Sequence, residues 1–252
     1  MAHPQLLRIA WGVGLMALGQ AGLAAGATFF VSPTRVVLTA RAATALVTVR
    51  NDGDVPLRFQ VGVHVWSQGA QGQILLAPTD DLIVFPLMMT LAPKQERSVR
   101  VGAVTPFGAV EKSYRLIVEE LPPVERPGEA AGVRVLTRMG IPIFLQPTAP
   151  KASASLTDVA LGPGGLTFSL RNTGNVFFVP DTVTVKALDG LGNVLLERTL
   201  EAWYVLAGGV RVFEVAVPRP LCEQVRSFAV SVDVAKVSLK ERLETPASAC
   251  GR

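Results

Sequence analysis

The chain has 252 residues, of which 24 are Lys or Arg and 20 are Asp or Glu, and its formal net charge is +4. This basic excess is slight and comes with no stacking aromatics or recognisable motif, so the sequence predicts no nucleic-acid partner. The two histidines, the two cysteines and the lack of a C-x-x-C motif argue against a metal site.

The N-terminal residues predict export. Arg8 precedes an apolar run over residues 9–23, and a small-residue site of A-x-A type ends at Ala27. This order is typical of a cleaved secretory signal peptide, here residues 1–27. A membrane anchor is the alternative, but a span needs about 20 apolar residues, and glycines dilute this shorter run. We therefore expect an exported protein whose mature part is long enough for two domains.

Strand signals then recur about every ten residues, separated by Gly, Pro, Asn and Asp turns, and no amphipathic helix stands out. This spacing is typical of an immunoglobulin-like β-sandwich. The sequence predicts a first domain over residues 28–147 with seven strands, at residues 29–38, 43–50, 55–66, 82–91, 97–104, 113–121 and 132–147.

The proline-marked segment 147–150 predicts a short hinge, because proline fixes φ and disfavours continued strand pairing. A second, smaller sandwich is expected over residues 151–252. Its six predicted strands cover residues 154–161, 166–171, 177–187, 194–200, 210–217 and 227–235. The fold class is therefore all-β, with two immunoglobulin-like domains. Similar strand ends at Asn51 and Asn172 suggest that the two halves are distant repeats.

The last strand of the first domain is unusual. Its odd positions are apolar except for Thr137, which is the period-two pattern of a strand. Pro142 has no N–H to donate, so this strand should lie at a sheet edge. A long apolar edge invites foreign strands to pair with it. Either this protein covers the edge or a partner binds it.

Catalytic machinery is not indicated. A hydrolytic triad needs a histidine beside a nucleophile and a carboxylate, and after export only His64 remains, on the strand face opposite Val61, Val63 and Val65. The acidic pairs at residues 80–81 and 119–120 are adjacent on strands and point to opposite faces. No phosphate-binding loop is present. We expect no enzyme activity and no cofactor.

Both cysteines, Cys222 and Cys250, lie in the C-terminal quarter. In an exported protein, two cysteines in one region most simply form one disulfide. Two free thiols are the alternative.

Five stretches resemble the periplasmic chaperones of the chaperone–usher pathway of pilus assembly. The most specific is SYRLIVEELPP at residues 113–123, which is similar to the family's penultimate strand. The others are residues 31–38, residues 85–86 with 91–101, residues 132–147 and residues 171–178. The resemblance implies two domains set at an angle. The resemblance is stronger over residues 30–150 than beyond.

The resemblance implies that the last strand of the first domain is lent to a pilus subunit that lacks a strand of its own. Backbone bonds then give affinity and alternate side chains give specificity. By position, the inserted set is Val133, Val135, Thr137, Met139 and Ile141. The alternative is that these side chains line the protein's own core. Implied partners are pilus subunits and an outer-membrane usher, without ATP. Whether the free form covers its edge by self-association stays open.

The resemblance also implies a cationic anchor for the subunit's C-terminal carboxylate. Arg35 matches the family's cleft arginine, but Pro142 stands where the family has its lysine. Arg138, four residues earlier, is the expected second cation if a bulge at Gly140 brings it near the cleft. Arg97 and Arg100 are alternatives.

A secreted two-domain structural or adhesive protein is the rival interpretation. A carrier needs a donor strand that is exposed when unoccupied, whereas an adhesive protein would cover it internally. A sugar-binding or hydrolytic module is disfavoured because neither Trp66 nor Trp203 has an acid directly beside it in the sequence.

Overall fold

The computed structural model describes residues 28–123, 135–162, 164–235 and 237–245. The predicted signal peptide, Val133 and Cys250 lie outside these residues. No helix in the described ranges is long and apolar enough to cross a membrane.

The described residues of the first half form ten strands. They are β1 (Phe29–Ser32), β2 (Val36–Leu38), β3 (Thr44–Asn51), β4 (Leu57–Gln68), β5 (Ile74–Pro78), β6 (Leu82–Phe85), β7 (Met88–Leu91), β8 (Glu96–Ala103), β9 (Lys112–Leu121) and β10 (Arg138–Leu145). One sheet has the order β1-β3-β8-β6. The other has the order β2-β10-β9-β4-β5, and β7 pairs with β4 beside it. The inward side chains of the two sheets form one apolar core, as in an immunoglobulin-like sandwich.

Two predicted strands are each divided between the two sheets. The stretch 29–38 breaks at Pro33 into β1 and β2, and the stretch 82–91 breaks at Pro86 into β6 and β7. A proline cannot donate to a ladder, so the chain leaves one sheet there and joins the other. The first of these breaks matters for the site, because it places β2 beside β10.

Seven strands and one short helix occur among the residues of the second half that the structure describes. They are β11 (Ala154–Gly162), β12 (Gly165–Asn172), β13 (Thr182–Leu188), β14 (Val194–Thr199), β15 (Val210–Val215), α1 (Arg219–Cys222), β16 (Ser227–Val234) and β17 (Val237–Glu244). Their sheets have the orders β11-β12-β15 and β14-β13-β16-β17, around a second apolar core. The predicted all-β fold with two immunoglobulin-like sandwiches is confirmed.

Two buried asparagines close equivalent turns in the two halves. The side-chain amide of Asn51 donates to the carbonyls of Val55 and Leu91, and its oxygen accepts the N–H of Gly53. Asn172 repeats this pattern with the carbonyls of Val176 and Val205 and the N–H of Gly174. This shared turn supports the prediction that the halves are distant repeats.

The two sandwiches contact each other at several places. The hairpin of β4 and β5 reaches the second half, where the Gln68 amide donates to the Tyr204 carbonyl at 2.6 Å and Val212 N–H donates to the Ala70 carbonyl at 2.8 Å. Glu111 accepts the N–H of Phe177 at 2.8 Å. Between these contacts lies an aromatic cluster formed by Trp66, Phe144, Phe177 and Tyr204. Through Phe144, the C-terminal part of β10 therefore lies at the junction of the two sandwiches.

Candidate functional site

Strand β10 is paired along its whole length on one side only. Its antiparallel register with β9 runs without interruption from Arg138 opposite Glu119 to Leu145 opposite Lys112. On its other side, β2 pairs with it in parallel only from Ile143 to Leu145. In the described part of the chain, no strand pairs with residues 138–142 on that side. We call residues 135–142 the open edge.

The register shows which backbone groups the open edge presents. Glu120 N–H donates to the Thr137 carbonyl at 2.9 Å, so Thr137 faces β9 with its backbone groups. Backbone direction alternates along an antiparallel strand, and the groups of Arg138, Gly140 and Pro142 therefore point away from β9. Pro142 lacks an N–H on the side of β10 where the described part of the chain provides no strand partner, as the sequence predicted.

The apolar series along this strand divides into two parts. Val135 is 66% exposed, and Thr137 and Met139 are half-buried. Ile141 is 4% exposed and packs in the core of the first sandwich. Ile141 therefore lines the protein's own core, which was the alternative to insertion into a partner. Among the described members of the series, Val135 is the most exposed.

Arg35 lies where the open edge meets the second sandwich. Since Val36 pairs with Ile143, the preceding Arg35 lies opposite Pro142 by continuation of the register. Its side chain is exposed, and its guanidinium carbon is 5.6 Å from the centre of the Phe177 ring. A cation thus stands at the point where β2 blocks further pairing along β10.

Arg138 lies at the other end of the open edge. It faces Glu119, with 3.7 Å between its Nε and a carboxylate oxygen, and both side chains are exposed. The regular register shows no bulge at Gly140. Four residues of strand separate Arg138 from Pro142, about 13 Å, so the structure does not bring Arg138 beside Arg35. Arg97 and Arg100 lie on β8 in the other sheet.

Arg115 also lies at the junction of the two sandwiches, against Trp66, and no sequence pattern had indicated it. It lies on β9 opposite Pro142 and is only 8% exposed. Its Nη1 donates to the Gly140 carbonyl at 3.0 Å, and its guanidinium carbon is 4.2 Å from the centre of the Trp66 ring. The available signal was a lone arginine inside a buried apolar strand, one strand from Pro142.

Aromatic rings cover this region from both sandwiches. The ring centres of Phe144 and Phe177 are 3.9 Å apart in a stacked arrangement. Tyr204 packs at 5.5 Å from Trp66 and at 5.7 Å from Phe144. Offset stacking and edge contacts of this kind favour a defined geometry, so the cluster holds β10 in a fixed relation to the second sandwich.

Glu111 is a buried carboxylate at the same junction. Glu111 is 6% exposed, and its Oε1 accepts the Phe177 N–H. Its Oε2 has no hydrogen-bond partner among the residues that the structure describes. Burial raises the pKa of Glu111 to about 7, although the bond from Phe177 opposes the shift. The contact between the sandwiches therefore contains a group that titrates near neutral pH.

No cluster of three or more His, Cys, Asp or Glu side chains suited to a metal ion occurs in the described residues. His64 lies opposite Arg115 on the neighbouring strand, and its Nδ1 is buried without a hydrogen-bond partner. Cys222 is buried in α1. Because Cys250 lies outside the described residues, its predicted pairing with Cys222 stays a prediction.

Comparison with known families supports the resemblance noted from the sequence. Residues 28–151 match the pili and flagellar-assembly chaperone family, PapD N-terminal domain. A comparison with curated protein sequences finds no match.

Solved structures with the same fold include chaperones from several pili. The chaperone–tip adhesion subunit pre-assembly complex from archaic chaperone–usher Csu pili of Acinetobacter baumannii matches with 17% identity and a TM-score of 0.58, covering 86% of this chain and 98% of that chain. The class 5 fimbriae chaperone CfaA matches with 14% identity and a TM-score of 0.57, over 87% and 100% of the two chains. The SafA pilin–SafB chaperone complex of Salmonella enterica matches with 16% identity and a TM-score of 0.56, over 86% and 97%. Through residues 28–151, this chain belongs to the family of pilus and flagellar-assembly chaperones.

Proposed function

We propose that this chaperone binds a pilus subunit by pairing the open edge with the subunit's incomplete sheet. The observation that carries the proposal is that no strand in the described part of the chain pairs with the outward-pointing backbone groups of Arg138, Gly140 and Pro142. Added strands of this kind gain affinity from main-chain hydrogen bonds and specificity from alternate side chains. Val135 is the described member of the apolar series most available for insertion, followed by Met139 and Thr137.

The open edge also limits where an incoming strand can end. Because β2 occupies the edge from Ile143 onward, a strand that pairs with residues 136–142 must stop or turn away near Pro142. Arg35 stands at this point, and a cation favours a carboxylate over an ammonium group. The incoming strand therefore runs parallel to β10 and ends in a carboxylate bound by Arg35. Arg138 remains the second proposed anchor, although it lies nearer the other end of the edge.

The cellular setting follows from the family and the N-terminal sequence. After removal of residues 1–27, the protein works in the periplasm as a non-enzymatic carrier, with its first domain over residues 28–147 and its second over 151–252. It delivers the subunit to an outer-membrane usher without ATP, and exchange for a better complementing strand releases it. A disulfide between Cys222 and Cys250 belongs to the same proposal.

The test compares two substitutions of the same chemical kind. Val135→Asp puts a charge on the open edge, whereas Leu191→Asp puts one on a second-half side chain that is 90% exposed. Each variant is co-expressed with the pilus subunit encoded beside this protein and recovered from the periplasm. We expect Val135→Asp to retain at least about tenfold less subunit, since a charge facing an apolar groove is costly, while Leu191→Asp matches the wild type. Equal retention by both variants would favour the structural or adhesive interpretation.

A further inference from the structure

We infer that β5 binds a second copy of this chain, strand to strand, about a two-fold axis. β5 lies at the opposite end of its sheet from β2, and β9 and β4 separate it from β10. Pairing at β5 therefore covers no part of the open edge, and the inference does not rest on the proposed function. It predicts a weak dimer of the free protein.

β5 is apolar and exposed on both of its faces. Ile74, Leu75 and Leu76 are exposed large apolar side chains, and Ala77 and Pro78 are exposed as well. β4 pairs with β5 on one side, and no strand of the described residues pairs with it on the other. Natural proteins usually avoid an unpaired apolar edge of this kind, because it invites another strand to pair with it.

The register of the hairpin shows which backbone groups β5 offers. Gly69 N–H donates to the Gln73 carbonyl at 3.0 Å, so these two residues face each other between the strands. Backbone direction alternates along an antiparallel strand, and the groups of Ile74 and Leu76 therefore point away from β4. Pro78 lies on the same outward side, where its missing N–H removes no bond to β4.

The hairpin is held in place by the second sandwich. The Gln68 amide donates to the Tyr204 carbonyl, and its oxygen accepts the Leu206 N–H at 3.1 Å. Val212 N–H donates to the Ala70 carbonyl in the turn. Because these bonds order the end of the hairpin, the edge needs little further ordering when it binds a partner.

The charge pattern favours a second copy as the occupant. Between Arg58 and Asp80 the sequence has no Asp, Glu, Lys or Arg. Edge strands commonly carry charges that keep identical copies apart, and this hairpin has none, in a chain whose formal net charge is +4. Two copies therefore meet here without bringing like charges together, whereas an acidic or a basic partner finds no opposite charge on the hairpin.

A two-fold axis through Leu75 makes the two edges complementary. In this antiparallel register, Ile74 of each copy lies opposite Leu76 of the other, and the two residues exchange N–H and C=O groups. The side chain of Leu75 then meets Leu75 of the second copy on the other face of the sheet. A register centred on Leu76 would instead place Ile74 opposite Pro78, which cannot donate. The apolar side chains thus pair with one another in the favoured register.

The size of the edge limits the affinity. A stable interface buries about 800 Å² on each partner, and a strand of 5 residues supplies only part of that area. We therefore expect a dissociation constant on the order of 10–100 µM.

The experiment is sedimentation equilibrium of the purified protein from about 5 to about 500 µM, which brackets this constant. Leu75→Lys places two ammonium groups against each other across the axis, and Leu75→Glu does the same with two carboxylates. We expect either variant alone to dimerise at least about tenfold more weakly than the wild type. An equimolar mixture of the two should recover the wild-type constant to within about threefold, because lysine then faces glutamate.

The matched control is Leu46→Lys. Leu46 is 52% exposed, compared with 51% for Leu75, and it lies on β3 in the other sheet of the same sandwich. This variant should dimerise like the wild type, since it adds the same charge away from β5.

Several results would overturn the inference. They are a wild type that stays monomeric at every concentration, a dimer that Leu75→Lys leaves intact, and a lysine–glutamate mixture that does not associate. A dimer that Val135→Asp abolishes and Leu75→Lys preserves would place self-association at the open edge instead. Loss of the co-expressed pilus subunit in Leu75→Lys would identify the subunit as the occupant of β5.

Circular dichroism checks that each variant folds. If the charged variants do not fold, Leu76→Pro replaces them, because it removes an N–H that points away from β4 and leaves the pairing with β4 intact. Weaker dimerisation of Leu76→Pro supports strand pairing at β5, and unchanged dimerisation overturns it.

Discussion

The carboxyl group of Glu111 should make the stability of this protein depend on pH between about 4.5 and 7. In the unfolded chain the group has its ordinary pKa of 4.5, whereas burial raises its pKa to about 7 in the folded state. Between these values the folded protein binds more protons than the unfolded chain, so stability decreases as the pH rises. This trend is opposite to that of an ion-paired carboxylate, which stabilises a protein when it is ionised.

The size of the effect follows from the two pKa values. One pKa unit corresponds to about 1.4 kcal/mol, so a rise from 4.5 to about 7 sets an upper limit of about 3 kcal/mol. The Phe177 N–H bonds the ionised carboxylate and remains available above pH 7. We therefore expect the wild type to lose about 2 kcal/mol of unfolding free energy between pH 4.5 and pH 7.5 through this group.

The assay is urea unfolding at pH 4.5, 6.0 and 7.5, followed by circular dichroism. Glu111→Gln keeps an oxygen that can accept from Phe177 but has no titrating group, so its stability should vary with pH by about 2 kcal/mol less than that of the wild type. Glu119→Gln, at an exposed carboxylate, is the matched control and should keep the wild-type slope. Identical pH profiles for the wild type and Glu111→Gln would refute the reasoning.

Two further predictions concern the asparagine turn and the contact between the sandwiches. Asn51→Ala removes a buried side chain that bonds Val55, Leu91 and Gly53. It should lower the free energy of unfolding, measured by urea titration, by about 2–3 kcal/mol. A loss below about 0.5 kcal/mol would contradict the assigned role of the amide. Gln68→Ala removes the side-chain bonds between the sandwiches, including the one to the Tyr204 carbonyl. This change should widen the range of angles between the sandwiches and so increase the radius of gyration measured by X-ray scattering. An unchanged scattering curve would show that the remaining contacts hold the sandwiches together without Gln68.

Much of the fold could be predicted because most strands are buried on one face and alternate accordingly. The strands that the sequence analysis missed are those without such a face. β5 is exposed at every residue, and β17 carries exposed charged side chains at the edge of its sheet. The predicted strand 177–187 begins only at Thr182, and Phe178 makes an isolated bridge with Val205 instead. Pairing at such positions depends on long-range contacts that periodicity does not contain.

The functional site, like the fold, could be predicted from the sequence only where the signal lies within one strand. Period two and a proline indicated an unpaired side of β10, because both signals lie within one strand. They did not indicate that β2 is the edge strand and pairs with the last three residues of β10. The place of Arg115 at the junction could not be predicted, since it depends on which residue of another strand lies opposite Pro142. The position of Arg138 also depends on the register between β9 and β10, which the sequence of one strand does not contain. Because that register is regular, Arg138 lies beside Glu119.

The hairpin of β4 and β5 has a consequence for how the molecule unfolds. β4 pairs with β9 in the first sandwich, and the same strand ends in Gln68, which bonds to the second half. Trp66, on that strand, is buried together with Leu206 of the second half. If the second sandwich unfolds, this side of the first sheet loses its cover and its apolar surface is exposed to water. The two halves should therefore unfold in one cooperative step, and damage far from the open edge should still reduce the amount of protein able to offer it.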